Sequence, residues 1–153
     1  MDDVIDGADL FLGLSGPNVL KPDMVKRMAP RPIIFALANP NPEIMPDAAR
    51  EVAPDAIIAT GRSDFPNQVN NVLCFPFIFR GALDVGATEI NDTMQIACID
   101  GIAELARAST SAEAAAAYQG ETMNFGADYL IPKPFDPRLS GIVSSAVAQA
   151  AMD

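Results

Sequence analysis

Three short apolar segments, each ended by a polar turn, constrain this chain most. Continuous apolar runs of this length are typical of strands that are buried on both faces of a parallel sheet. Pro22-Asp23 and Pro46-Asp47 stand between the runs. They predict two short helices, because proline is favoured in a first helical turn and an acidic side chain complements its positive end. The pattern therefore predicts a βαβαβ unit. Its three strands are residues 9–15, 32–38 and 55–61.

The second half of the chain is predicted to be mostly helical. Asn91 is the expected N-cap of a long helix that ends near Ala108. One face of that helix is apolar at the spacing of a 3.6-residue period, and it consists of Met94, Cys98, Ile102 and Leu105. An apolar helix from Pro66 to about Val85 should bend or break at Pro76. The remaining expectations are a helical stretch at 109–117, an extended crossing segment at 120–137 and a closing helix at 138–152.

Composition excludes several classes of function. The chain of 153 residues contains no histidine, which excludes serine or cysteine triads that use an imidazole and every histidine-ligated metal. Two cysteines, Cys74 and Cys98, do not form a CxxC pair, and a disulfide framework is not expected. A net charge of −10 argues against binding to nucleic acid.

Location follows from the same composition. No apolar run reaches the length of a membrane span, and the acidic start MDDVIDGADL does not resemble a signal peptide. Free thiols suit a reducing compartment. We therefore expect a cytoplasmic protein that does not act at a membrane.

Candidate site residues follow the predicted strands, because open α/β sheets bind ligands outside the carboxyl ends of their strands. Ser15 and Asn39 follow the first and second strands, and Gly61 ends the third. Asn39 either forms an Asn-Pro turn or reads a ribose hydroxyl, a carboxamide or a carboxylate. A cluster of amides comes next, and its members act either as helix caps or as donors to an anion. This cluster contains Asn67, Gln68, Asn70 and Asn71.

A dinucleotide-binding first half is not recognisable in these residues. The fingerprint G-x-G-x-x-G is missing, and no Lys-Tyr or His-Asp set lies near the predicted strand ends. The predicted fold is therefore α/β, as the second half of a doubly wound Rossmann-type parallel sheet followed by C-terminal helices. Residues 1–62 would form the βαβαβ half-sheet, and residues 63–153 would be mostly helical.

Five segments resemble malic enzyme, most closely the bacterial NADP-dependent enzymes, over almost the whole chain. The segments are Gly7–Ser15, Phe35–Glu43, Thr60–Leu73, Phe75–Asn91 and Ile131–Leu139. The resemblance implies a part of an NAD(P)-dependent oxidoreductase that converts malate to pyruvate and CO2 with Mg²⁺ or Mn²⁺. It also implies a homo-oligomer in which these residues belong to the C-terminal part of the NAD(P)-binding domain.

The resemblance assigns roles to four residues. It implies cofactor binding by Asn39, Asn71 and Ser15, and substrate binding by Asn39, Asn70 and Asn71. The catalytic Tyr and Lys and the acidic metal ligands of the family lie upstream of the matching residues. The expected catalytic and metal sets in this chain are therefore empty, and the chain alone should be inactive. A non-catalytic nucleotide-binding or interaction module is the alternative.

Overall fold

The computed structural model describes residues 1–118 and 123–153, except for the side chain of Glu113. These residues form two compact units, Met1–Val69 and Asn70–Asp153. Residues 120–122 of the predicted crossing segment lie outside the described part. Across the described residues, no helix is both long and apolar enough to cross a lipid bilayer.

The first unit contains a parallel sheet with the strand order β1-β2-β3. The register aligns Leu10 with Ile33, and Ile33 with Ile57. This confirms the predicted α/β fold with a parallel sheet, although each strand is four residues long and shorter than predicted. The strands are β1 (Leu10–Gly13), β2 (Ile33–Ala36) and β3 (Ile57–Thr60).

Two short helices connect the strands and cover one face of the sheet. They are α1 (Pro22–Val25) and α2 (Pro46–Val52), and both have proline in the first turn and an aspartate beside it, as predicted. Phe11 and Ile34 on the covered face pack with Val25 of α1 and Ala49 of α2.

The prediction that every strand is buried on both faces is wrong for β1. Its residues alternate between exposed and buried, and Leu10 and Leu12 are 52% and 57% exposed. The physical reason is that α1 and α2 pack on the same face as Phe11. A continuous apolar run in the sequence does not show which face of the strand the helices of the same unit will cover.

The second unit is helical, and its longest elements begin and end where the sequence indicates. The predicted helix from Pro66 is the main exception: a 3₁₀ turn covers Asn71–Leu73, and α3 begins only at Phe75. Pro76 lies in the first turn of α3, so it starts a helix rather than bending one. The helices are α3 (Phe75–Asp84), α4 (Asp92–Arg107), α5 (Ala112–Ala117) and α6 (Arg138–Met152).

Helix α6 packs against both α3 and α4. Leu139, Val143 and Val147 of α6 are fully buried, whereas Ile142, predicted to share their face, is exposed. On α4, Asn91 caps the helix by accepting from the Met94 backbone N–H at 3.0 Å. The predicted apolar face of α4 is confirmed, because Met94, Cys98 and Leu105 are each 1% exposed and Ile102 packs against them.

At Gly81, helix α3 lies directly against α6. A Cβ at this position would overlap the Ser144 carbonyl oxygen and lie 2.8 Å from Val147 Cβ. The Ser144 hydroxyl also donates to the Phe77 carbonyl at 3.2 Å. Because these partners include backbone, they have little freedom to move aside.

We therefore expect Gly81→Ala to lower the free energy of unfolding by about 1–3 kcal/mol, the usual cost of overpacking. Gly141→Ala is the matched control, since it lies inside α6 with nothing within 4 Å of an added Cβ. Better helix propensity should stabilise that variant by about 0.5–1 kcal/mol. Urea unfolding, monitored by circular dichroism, measures the free energy of unfolding of both variants. Equal effects of the two substitutions would contradict the close packing of α3 against α6 at Gly81.

Candidate functional site

The carboxyl ends of the three strands form one edge of the sheet, which we call the carboxyl edge. Ser15 follows β1, Asn39 follows β2 and Gly61 directly follows β3. Since the strands are parallel and adjacent, all three positions belong to the same edge. The structure thus brings together two predicted site residues, Ser15 and Asn39.

A buried carboxylate joins the first two turns of this edge. Glu43 is 0% exposed, and its Oε1 accepts from the Ser15 backbone N–H at 2.8 Å. Its Oε2 accepts from the Ala38 backbone N–H at 3.1 Å. The Ser15 hydroxyl contributes a longer contact of 3.4 Å to Oε1. One side chain therefore holds the turn after β1 and the turn after β2 in a fixed relation.

Gly13 leaves the space that this carboxylate needs. A Cβ at residue 13 would lie 2.7 Å from Glu43 Oε1. Glu43 is not among the site residues predicted from the sequence, because acidic residues are usually exposed. A signal was available: Glu43 stands in the apolar stretch Pro42-Glu43-Ile44-Met45, where a charged residue needs a specific partner.

Asn39 packs its amide group over Gly61. A Cβ at residue 61 would lie 2.6 Å from Asn39 Nδ2 and 2.9 Å from Asn39 Oδ1. The amide therefore occupies the space that a side chain at residue 61 would fill. Asn39 is itself exposed, and its peptide bond to Pro40 is cis. Asn39 therefore forms the Asn-Pro turn and at the same time exposes its amide at the surface.

Arg62 and Asp64 form an ion pair beyond β3. Arg62 donates from Nε and Nη2 to the two carboxylate oxygens at 2.8 and 2.6 Å. This bond lowers the pKa of the Asp64 carboxyl. The Arg62 guanidinium is therefore held against the Asp64 carboxylate at this end of β3.

Asn67 makes a buried contact within the first unit. It is buried, and its Nδ2 donates to the Ile58 carbonyl at 2.9 Å. The residues around it return to β3, because the Val69 N–H donates to the Thr60 carbonyl at 2.8 Å. Asn67 therefore holds the segment after β3 against the sheet.

Asn70 and Asn71 belong to the second unit. Asn70 Oδ1 accepts from the Val72 N–H at 3.0 Å, so the capping role is confirmed for this residue. Asn71 begins the 3₁₀ turn, and its side chain is exposed. Its amide is thus presented to solvent at a helix start.

Metal ligands were not predicted in this chain, and the described residues contain no group of three His, Cys, Asp or Glu side chains that could hold an ion. The buried Glu43 carboxylate is already used by two backbone donors. The edge offers amides, a hydroxyl and backbone groups, which are the donors and acceptors that an organic ligand needs.

Comparison with known proteins decides the family. Residues 3–118 match the family model described as the NAD-binding domain of malic enzyme. The chain belongs to the malic enzyme family. An NADP-dependent malic enzyme of Salmonella typhimurium is 65% identical over all 153 residues. An NAD-dependent malic enzyme of Rhizobium meliloti is 63% identical over 99% of the chain.

A solved structure agrees with this family. The malic enzyme of Entamoeba histolytica matches with a TM-score of 0.80 and 39% identity, over 98% of this chain and 28% of that one. The chain spans only 20% of the length of the Salmonella and Rhizobium enzymes. The predicted family and its Rossmann-type fold are therefore confirmed, for a chain that corresponds to a part of such enzymes.

The structure makes the Glu43 bridge testable. Glu43→Ala leaves the Ser15 and Ala38 N–H groups without their acceptor, and each such loss costs about 1–3 kcal/mol. We expect the free energy of unfolding to fall by roughly 2–4 kcal/mol.

Glu51→Ala on the exposed side of α2 is the control for this substitution, and it should change the stability by at most about 0.5 kcal/mol. Chemical denaturation measures both variants. A Glu43→Ala chain as stable as the control would show that the carboxylate is dispensable.

Proposed function

We propose that residues 1–153 are the C-terminal part of the NAD(P)-binding domain of a malic enzyme. The enzyme would oxidise malate, reduce NADP or NAD, and release pyruvate and CO2. The observation that carries this proposal is the exposed Asn39 amide, seated over Gly61 at the carboxyl edge. Identity of 65% to an NADP-dependent malic enzyme across the whole chain supports it.

Asn39 is proposed to contact the cofactor on its nicotinamide side, or the malate. Its amide can donate from nitrogen and accept at oxygen, so it can hold a carboxamide or a carboxylate without adding charge. Ser15 would line the same edge beside the cofactor. When bound, the nicotinamide ring supplies the hydride acceptor, and the residues of this chain orient it.

Asn71 is proposed to bind cofactor and substrate, and Asn70 to bind substrate. The exposed amide of Asn71 supports a role in binding. Asn70 uses its oxygen as a cap, so its contribution to binding would come from its NH2 group. Both roles are those that the malic enzyme family implies for these positions.

The edge residues fit a nucleotide cofactor better than they fit a metal. Gly13 and Gly61 leave room at two strand ends for the Glu43 carboxylate and the Asn39 amide. The groups left to meet a ligand are neutral, and neutral donors and acceptors suit an organic ligand. The Mg²⁺ or Mn²⁺ of the reaction is proposed to be held by residues outside this chain. Its chemistry there is to polarise the carbonyl and stabilise the developing enolate.

The proposed partners are malate and pyruvate, the rest of the same enzyme, and further copies in a homo-oligomer. Exposed apolar side chains support contacts of this kind, since large apolar patches usually mark interfaces. They include Leu10 and Leu12 of the first unit and Phe75, Phe79 and Leu83 of the second. Cytoplasmic location is proposed from the free thiols.

The purified 153-residue chain should not form NADPH from malate. The described residues offer no metal-ligand cluster, and the catalytic Tyr and Lys of the family are expected outside this chain. The increase in absorbance of NADPH measures the reaction, and the intact enzyme is the positive control. Turnover by the chain alone would contradict the assignment of the catalytic groups to other parts of the enzyme.

Asn39→Ala, introduced into the intact enzyme that carries these residues, should lower kcat/KM for malate by about 10²–10³-fold, the usual effect of removing one positioned donor. Asn41→Ala is the control, because Asn41 is an exposed asparagine two residues away in the same turn. A Asn39→Ala enzyme within twofold of the control would contradict the proposal.

Gly61→Ala tests the position of the Asn39 amide, because it leaves the amide group itself in the chain. The new Cβ must displace the Asn39 side chain, which can swing away at little cost in stability. We expect a loss of kcat/KM close to that of Asn39→Ala, with the same melting temperature as the parent. Gly16→Ala is the matched control, since nothing lies within 4 Å of its Cβ.

A further inference from the structure

The two cysteines of the chain meet in the second unit. Cys74 Sγ and Cys98 Sγ are 3.3 Å apart, although the residues are 24 positions apart in the sequence. Cys74 ends the 3₁₀ turn and precedes α3, and Cys98 lies in the middle of α4. The 153 residues contain no other cysteine, so within them each thiol has only the other as a possible disulfide partner.

The two thiols differ in their access to solvent. Cys74 is half-buried, whereas Cys98 is 1% exposed and lies among the apolar residues of α4 and α6. Burial, with a smaller effect of the neighbouring Cys74, raises the pKa of the Cys98 thiol to about 12. An oxidant in solution therefore reaches the Cys74 thiol first. The buried Cys98 thiol lies next to Cys74 and can react with it in a second step.

We propose that Cys74 and Cys98 are a redox modification site, which a peroxide converts into a reversible intramolecular disulfide. The arrangement has the two parts that such sites need, an accessible thiol and a second thiol beside it. Closing the bond requires the sulfurs to approach from 3.3 Å to about 2.05 Å. In a reducing compartment a disulfide of this kind is transient and responsive rather than structural.

The reaction balances with hydrogen peroxide as the oxidant. The Cys74 thiolate attacks one peroxide oxygen, the O–O bond breaks, and sulfenic acid and hydroxide form. Cys98 sulfur then attacks Cys74 sulfur, the S–O bond breaks, and the departing hydroxide takes the Cys98 proton as water. The two sulfurs together lose two electrons, and the peroxide gains them.

The bond would connect α4 to the junction between the 3₁₀ turn and α3. The Cys74 N–H already donates to the Asn71 carbonyl at 3.0 Å, and the Cys74 carbonyl accepts from the Ile78 N–H at 3.0 Å. Cys74 is thus part of the backbone of both elements. A cross-link over 24 residues should raise the melting temperature of the oxidised chain by about 5–10 °C.

The test is peptide mapping of the full chain after treatment with hydrogen peroxide and alkylation of the remaining thiols. We expect a cross-linked Cys74–Cys98 peptide, loss of both alkylated thiols together, and recovery of both with dithiothreitol. Oxidation of the exposed Met152 shows that the oxidant was active. Formation should be faster at higher pH, because more of each thiol is then ionised.

Two alanine variants separate the roles of the thiols. In Cys98→Ala, dimedone should label Cys74 as a persistent sulfenic acid, while the parent chain stays unlabelled because Cys98 consumes that intermediate. In Cys74→Ala, Cys98 should remain reduced. Circular dichroism of each variant checks that it is folded, and both substitutions keep a small apolar side chain.

The proposal fails if both thiols of the parent chain stay alkylatable while Met152 oxidises. It also fails if Cys74 of the parent accumulates as sulfinic acid without a cross-link, or if the cross-link joins two chains. The last case is distinguished by the mass of the cross-linked species on a non-reducing gel.

Discussion

The buried Glu43 carboxylate is the interaction on which the candidate site depends. A charged group at 0% exposure is stable only when its hydrogen bonds replace those of water. Here two backbone N–H groups do so, one from the turn after β1 and one from the turn after β2. The same bonds that satisfy the carboxylate therefore fix the positions of Ser15 and of the residue before Asn39. The hydrogen bonds of Glu43 thus serve both the fold and the proposed function. The glycine at residue 13 leaves the space that the carboxylate needs.

Much of the fold could be predicted because local chemistry alone decides it. The prolines and aspartates at the starts of α1 and α2, and the cap at Asn91, act over one helical turn. The three apolar runs indicated the strands, and their alternation with short helices indicated a parallel sheet. Pro76 was misplaced because a proline inside an apolar run and a proline in a first turn look alike until the preceding residues are known to be non-helical.

The parts that could not be predicted depend on contacts between distant residues. The exposed face of β1 is decided by the side on which α1 and α2 pack, and the apolar run is identical in either case. The role of Asn67 is decided by the Ile58 carbonyl, nine residues before it. Glu43 reads as a surface acid until its two partners, 5 and 28 residues away, are known. Asn39 was predicted as a site residue from its place after β2. The packing of its amide over Gly61 could not be predicted.

The carboxyl edge also shows why glycines stand at the strand ends. At Gly13 and Gly61 a Cβ would meet a functional side chain within 3 Å, although neither residue has a positive φ. The requirement is therefore space and not backbone conformation, and an alanine at either position would have to displace the side chain that it meets. In each case the excluded Cβ would move a polar group that faces the edge: the carboxylate that aligns the turns, or the amide proposed to meet the ligand. The small residues at this edge are thus part of how its polar groups are positioned, and a substitution there can alter binding while the rest of the unit stays folded.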